Sequence, residues 1–388
     1  MNPSTKPVAV RPDPCVESGY TGIHLKPRQG MRAAEAALRA WLDELGLASL
    51  VRSDPSFEQA ATLQLRLIDP AGLAPEHDTL ELARLLDLQP HAHEGDLFRE
   101  IVLCLLAAPQ PFVFPSLEEL QAHVRTRAYI VQAARKTALA FDTDSAERPV
   151  THWVEKPSQG FVIRPGADLI EALIAATQPV NSQQRYAFSC YRATEYVVLL
   201  GIAQELKNTH PELLRQLQST CEIDFIRSRR FHDVFLQEHG SHDEPLPARY
   251  YVPGDRVWFK NPDERSSDIP GFEGSWVIYL GSGLFCNFWE PERPYTLRSK
   301  CLEVFHWRHG VEQDDEGRLV MNEAKVASHV AASLSEPARA DAIVKRMMRM
   351  RDPSGVYADG GCIDSTREHP RWVCPSTCTI KLPAIAGQ

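Results

Sequence analysis

A polar turn that runs directly into a long apolar helix pattern, with a cysteine at the junction, constrains this chain more than any other stretch. The segment reads Arg185-Tyr186-Ala187-Phe188-Ser189-Cys190-Tyr191-Arg192-Ala193-Thr194-Glu195, followed by the apolar run Tyr196 to Ala203. Helical spacing puts Cys190, Ala193, Thr194, Val197, Val198 and Gly201 on one stripe, because residues three and four apart share a helix face. A helix starting near Ser189 aims its first-turn thiol inward. There the unpaired backbone N–H groups and the positive end of the helix dipole favour thiolate over thiol. A plain core cysteine is the competing reading, since free Cys is among the most buried residue types.

A second informative stretch begins at Tyr250. It reads Tyr-Tyr-Val-Pro-Gly-Asp-Arg-Val-Trp-Phe-Lys-Asn-Pro to Pro262, then Gly271-Phe272-Glu273-Gly274-Ser275-Trp276-Val277-Ile278-Tyr279-Leu280 and on to Asn287. Side chains alternate along a strand, so Glu273, Ser275, Val277 and Tyr279 share one face. The Gly281-Ser282-Gly283 loop predicts a hairpin that brings Asn287 opposite Val277 on that same face. A nucleophile, base and orienter set then reads as Cys190, Glu273 and Asn287, with Ser275 beside Glu273 on the same face, if the chain bends at Gly274. A solvated strand-end carboxylate at Glu273 and an ordinary hairpin amide at Asn287 are the alternatives.

From about Ser116 to about Asn287 these motifs occur in one order: the helix "LEELQAHVRTRAYIVQAARK" from Leu117 to Lys136, the "FSC" start of the cysteine helix, "GD…FKNP" and "VIYLG". Together they resemble the bacterial spore-coat type protein-glutamine gamma-glutamyltransferases, transglutaminases whose core is similar to that of papain-like cell-wall endopeptidases. The resemblance implies an α+β fold in which the cysteine helix packs on an antiparallel sheet. It implies that Cys190 forms a thioester with a protein glutamine and passes the acyl group to a lysine or other primary amine, with no metal and no cofactor. The partners it implies are proteins with exposed Gln and Lys. The family's base is a glutamate at the start of the "VIYLG" strand, where this chain has Ser275, and the glutamate that precedes the family's cysteine is here Ser189. Two departures at carboxylate positions keep other outcomes open: a thiol hydrolase acting as glutamine deamidase or peptidase, or a catalytically degenerate binding or coat-assembly module. The oxyanion would be held by the Cys190 amide and a second donor.

A formal net charge of −9, without a basic stripe carrying interleaved aromatics, argues against nucleic-acid binding. No apolar run reaches bilayer length, and "MNPSTKPVAVRPDP" has no apolar segment of the secretory type. A cytoplasmic location is expected, with signal-independent export left open. Nine irregularly spaced cysteines read as reduced thiols rather than a disulfide framework.

At 388 residues the length prior allows two or three domains. The expected organisation is a flexible tail at 1–30, a helical accessory domain at 31–112, a catalytic core at 113–310, and a helical C-terminal extension with a Cys-containing tail at 311–388. Between the cysteine helix and "YYVPGD" lie His232, His239 and His242 with Asp233, Glu238, Asp243 and Glu244, a metal site, a displaced base or a polar surface loop. Cys362, His369, Cys374 and Cys378 could close a structural zinc site, although their first spacing is unlike common zinc modules. Met347, Met348 and Met350 read as core filler.

Overall fold

In a computed structural model, the structure describes residues 20–26, 30–56, 62–142, 145–157, 160–179, 184–352 and 360–383. Residues 1–19 of the expected tail lie outside these.

The N-terminal block differs from the helical domain that its periodicity suggests. Strands β1 (Ile23–Leu25), β2 (Val51–Ser56), β3 (Thr62–Leu67) and β4 (Phe112–Phe114) form a four-stranded sheet in the order β2-β3-β1-β4. Strand β3 alternates buried Leu63, Leu65 and Leu67 with half-buried Thr62, Gln64 and Arg66, the period-two pattern of a one-sided sheet. Helix α1 (Met31–Glu44) lies between β1 and β2 in sequence, and α2 (Glu94–Leu106) between β3 and β4. Residues 20–25, counted with the tail from sequence, are in fact structured: Ile23 and Leu25 are fully buried and pair with both β3 and β4. The block is joined to the rest by Tyr250 Oη donating to Cys104 O (3.1 Å) and the Tyr251 amide donating to Thr79 Oγ1 (2.8 Å). One hydrophobic core runs through from Tyr20 to Ile380.

Helices α3 (Leu117–Lys136) and α4 (Cys190–Thr209) pack against each other at the centre. Helix α3 starts where Ser116 Oγ accepts from the Glu119 amide at 3.1 Å, and its first turn is acidic and its last turn basic, complementing the helix dipole. Helix α4 is buried nearly all round, as a central helix must be. At Gly201 an added Cβ would stand 2.5 Å from Ile130 Cγ1 and 2.8 Å from the Ile130 amide nitrogen. Only glycine lets the two helices approach this closely.

Both helices lie against strand β7 of a six-stranded antiparallel sheet. The strands, in chain order, are β5 (Leu236–His239), β6 (Arg256–Lys260), β7 (Gly274–Gly281), β8 (Leu284–Phe285), β9 (Tyr295–Thr296) and β10 (Arg367–Pro370), with spatial order β9-β8-β7-β6-β10-β5. The fold class is therefore α+β, with a cysteine helix on an antiparallel sheet. Strand β10 corrects the expected C-terminal extension, because Arg367–Pro370 sits inside this sheet, antiparallel to both β6 and β5. Helices α5 (Leu297–Gly310), α6 (Glu323–Leu334) and α7 (Pro337–Met347) form a neighbouring layer. Met347 is fully buried at its end.

Two buried ion pairs tie the layers together. Arg127 on α3 meets Asp255 at 2.7 Å with both side chains nearly inaccessible, and Arg256 on β6 meets Glu368 on β10 at 2.6 Å. Among the described residues no helix is long and apolar enough to cross a membrane.

Candidate active site

Cys190 is the first residue of α4. Ser189 caps the helix, its Oγ accepting from the Arg192 amide at 3.3 Å. The serine at this position is therefore a helix cap, a role that residue type favours. The thiol faces the backbone N–H groups of Trp276 and Tyr191, which favour its anion, as does the nearby Lys300 charge. Burial works the other way and dominates, so the Cys190 pKa is raised above that of an ordinary thiol, with a small further rise from Glu273. The sequence expectation of a thiolate favoured at rest is thus corrected: desolvation outweighs the helix terminus.

The two residues that present these N–H groups are themselves held in place. The guanidinium of Arg256, fixed by Glu368, lies 4.0 Å from the Trp276 ring centroid and 4.5 Å from that of Tyr191. Its Nε donates to Thr194 Oγ1 on α4 at 2.8 Å.

Cys190 opens on a cavity of about 590 Å³ whose lining includes Phe141, Trp289, Tyr295 and Trp307. Cys190, Ser275 and Asn287 all line this cavity, so the structure brings together three of the four residues expected at the site. Glu273 is exposed and is not part of the lining. The chain does not bend at Gly274 to turn it inward; an added Cβ there would meet the Trp258 indole nitrogen at 2.2 Å, and Lys260 of β6 pairs opposite.

Ser275, the expected base position, has partners that sequence reasoning missed. Lys300 Nζ donates to Ser275 Oγ at 3.1 Å and to Glu303 Oε2 at 2.5 Å, while Glu303 Oε1 accepts from Tyr295 Oη at 3.2 Å. The Lys300 ammonium also lies 3.5 Å from the Tyr295 ring centroid. All four residues line the cavity. One signal was available in the sequence: on α5, Lys300 interrupts a stripe of Leu297, Cys301 and Val304, all buried, where a charged residue is out of pattern.

The β7–β8 register, Tyr279 opposite Phe285, carries Asn287 towards Val277 as the hairpin spacing implies. Its amide is used locally, however. Asn287 Oδ1 accepts from the Trp289 and Glu290 amides at 3.2 and 3.1 Å, and Nδ2 donates to Arg293 O at 3.2 Å. Asn287 shapes the loop that walls the cavity, and its polar atoms are engaged there.

The His232–His242 region does not supply a base to this cavity, since none of its residues lines it. His232 Nε2 lies 3.6 Å from Glu368 and 3.8 Å from Glu238, His239 stacks on Phe112 with ring centroids 3.9 Å apart, and His242 is exposed. Burial pulls the His239 pKa down to about 3.

The proposed zinc site in the C-terminal tail does not assemble either. Among the described residues, no three of Cys362, His369, Cys374 and Cys378 bring ligand atoms within 4.8 Å of one another. Cys362 instead faces Cys301 at 3.8 Å, His369 packs among Phe112, His123 and Trp372, and the Cys374 amide donates to Glu119.

Comparison with known proteins adds three findings. A family model described as protein-glutamine gamma-glutamyltransferase matches residues 83–377, well beyond the 113–310 core expected from sequence and including strand β10. Among solved structures the chain is similar to a transglutaminase from Geobacillus stearothermophilus (without C-terminal extension), at 22% identity and a TM-score of 0.38, covering 55% of this chain and 98% of that one. No curated protein matches.

Proposed function

The chain belongs to the protein-glutamine gamma-glutamyltransferase family, and from that premise we propose that it cross-links proteins through a thioester on Cys190. Its function is of the transglutaminase type and its substrates are proteins. The reading rests chiefly on one observation: a first-turn cysteine opens on the same cavity as a lysine hydrogen-bonded to the serine at the family's base position. The cysteine helix lying on an antiparallel sheet also supports a papain-like core.

In this reading Cys190 Sγ attacks the carboxamide carbon of a glutamine side chain. Lys300 first yields a proton to Glu303, and the neutral amine so formed accepts the Ser275 hydroxyl proton as Ser275 takes the thiol proton, so the proton gained ends on the Glu303 carboxylate. Return of that proton to the nitrogen lets the C–N bond break and ammonia depart, leaving the thioester. A lysine amine then attacks the thioester carbonyl, the C–S bond breaks, and the amine proton returns to the sulfur as the isopeptide forms. The Ser275–Lys300–Glu303 chain thus stands in for the single carboxylate of the family. Lys300 adds a positive charge that favours both the thiolate and the oxyanion. Glu290 and Glu323 in the lining suit an incoming lysine ammonium, which must lose its proton before it attacks.

The test incubates the full chain with a glutamine-rich protein and a fluorescent primary amine, beside Cys190→Ala. Amine incorporation that the variant loses supports the proposal. Ammonia release without incorporation would redirect it to a deamidase, and neither product would leave a binding module.

A further inference from the structure

Three histidines on the helical layer behind the cavity meet at one point. His306 and His309 stand on α5 and His329 on α6, and one ring nitrogen from each lies within 4.8 Å of the others. His306 Nδ1 and His309 Nδ1 are 2.9 Å apart. The three ring centroids are separated by 4.7 to 5.6 Å. Helical spacing accounts for the first pair, because residues three apart share a face, and the α5–α6 packing brings the third ring across.

We propose that His306, His309 and His329 form a binding site for a zinc-class divalent cation that fastens α6 to α5. A tetrahedral zinc with bonds of about 2.0–2.1 Å places its nitrogen ligands about 3.3 Å apart, which the His306–His309 pair reaches by a small ring rotation. The outer shell is present as well. The other ring nitrogen of His306 is bonded to Ser333 Oγ at 2.7 Å, and both residues are fully buried. With Nε2–H donating to the serine, Nδ1 is left as the lone-pair donor, the arrangement that orients metal-ligating histidines. Imidazole must be neutral to ligate, and Arg308 and Arg339 lie close enough to His306 and His309 to act on both. Those two arginines oppose a dication, and Asp263, which acts on His309 in the other direction, offsets part of their charge.

The location gives the ion a role. Helix α6 contributes Glu323, Val326, Ala327, Val330, Ala331 and Leu334 to the wall of the Cys190 cavity. It is a helix of twelve residues, too short to be stable without its packing. An ion joining it to α5 holds that wall in place without entering the chemistry.

The test uses the full chain, stripped with EDTA and titrated with zinc chloride by calorimetry, beside His309→Gln/His329→Gln and Ser333→Ala. One equivalent of zinc bound by the native chain and lost in the double variant supports the site, as does a zinc-dependent rise in Tm confined to the native chain. Ser333→Ala is expected to bind about 10–100-fold more weakly. Should the double variant fail to fold, Ser333→Ala and the visible spectrum of cobalt bound to the native chain decide. No binding by the native chain, equal binding by the double variant, or a cobalt spectrum without histidine ligation overturns the proposal.

Discussion

Lys300 holds its ammonium nitrogen 3.1 Å from the hydroxyl oxygen of Ser275, joining helix α5 to the start of strand β7 in the wall of the Cys190 cavity. Burying a cation is costly unless it is paired. Glu303 neutralises it and the face of the Tyr295 ring covers it, a cation–π contact that strengthens where water is excluded. Because Lys300 donates to Ser275, the serine hydroxyl proton is free to point elsewhere, and both residues line the cavity.

If this chain carries the proton, Lys300→Met should lower amine incorporation by about 10²–10⁴-fold while leaving the Tm close to native. Ser275→Glu restores the carboxylate of the family opposite the same ammonium and should retain or raise the rate, whereas Glu273→Gln should leave it unchanged. A Lys300→Met protein with native activity, or loss of activity in Glu273→Gln, would return the base to the exposed carboxylate.

Alkylation of Cys190 by iodoacetamide should be slow at neutral pH and should climb with pH to beyond the range of an ordinary thiol. The sign follows from burial, which raises the pKa and so lowers the thiolate fraction at a given pH. Removing the nearby positive charge with Lys300→Met should slow labelling further, since that charge opposes the burial effect. Mass spectrometry of labelled peptides across a pH series reads both. Fast labelling at pH 7 in the native chain would contradict the desolvated thiol.

Glu100 on α2 offers a pH test of stability. Burial pushes its carboxyl up to about 7 from 4.5, although the Ser282 amide donates to it at 2.6 Å. Between those values the folded chain keeps a proton that the unfolded chain has released. Stability from this group is therefore complete below about pH 4.5 and falls as pH rises towards 7, by about 3 kcal/mol at 1.36 kcal/mol per pH unit. Glu100→Gln should flatten that slope and be more stable than the native chain at pH 8, with urea unfolding at pH 5 and pH 8 as the measurement. Parallel pH profiles would rule this carboxyl out as the source.

The sequence alone determined the cysteine helix, its start at Ser189–Cys190, the Leu117–Lys136 helix and the Gly274–Gly281 strand with the hairpin turn that follows it. Each is encoded by neighbours: a capping serine, a run of apolar residues with helical spacing, alternation ending in Gly-Ser-Gly. It also placed Cys190, Ser275 and Asn287 on surfaces that turn out to share a cavity. The tertiary structure decided what those surfaces meet. Lys300 reaches Ser275 across 25 residues, the three histidines converge from two helices, Arg367–Pro370 enters the sheet between strands far upstream, and short strands near Ile23 and Phe112 pair across most of the N-terminal block. Lys300 is out of pattern on its helix and His306 and His309 share a face, but nothing local names their partners, because a side chain's partner depends on how layers stack. Burial of the Cys190 thiol is of the same kind: its helix position favours the anion, and only the packing around it reverses the balance.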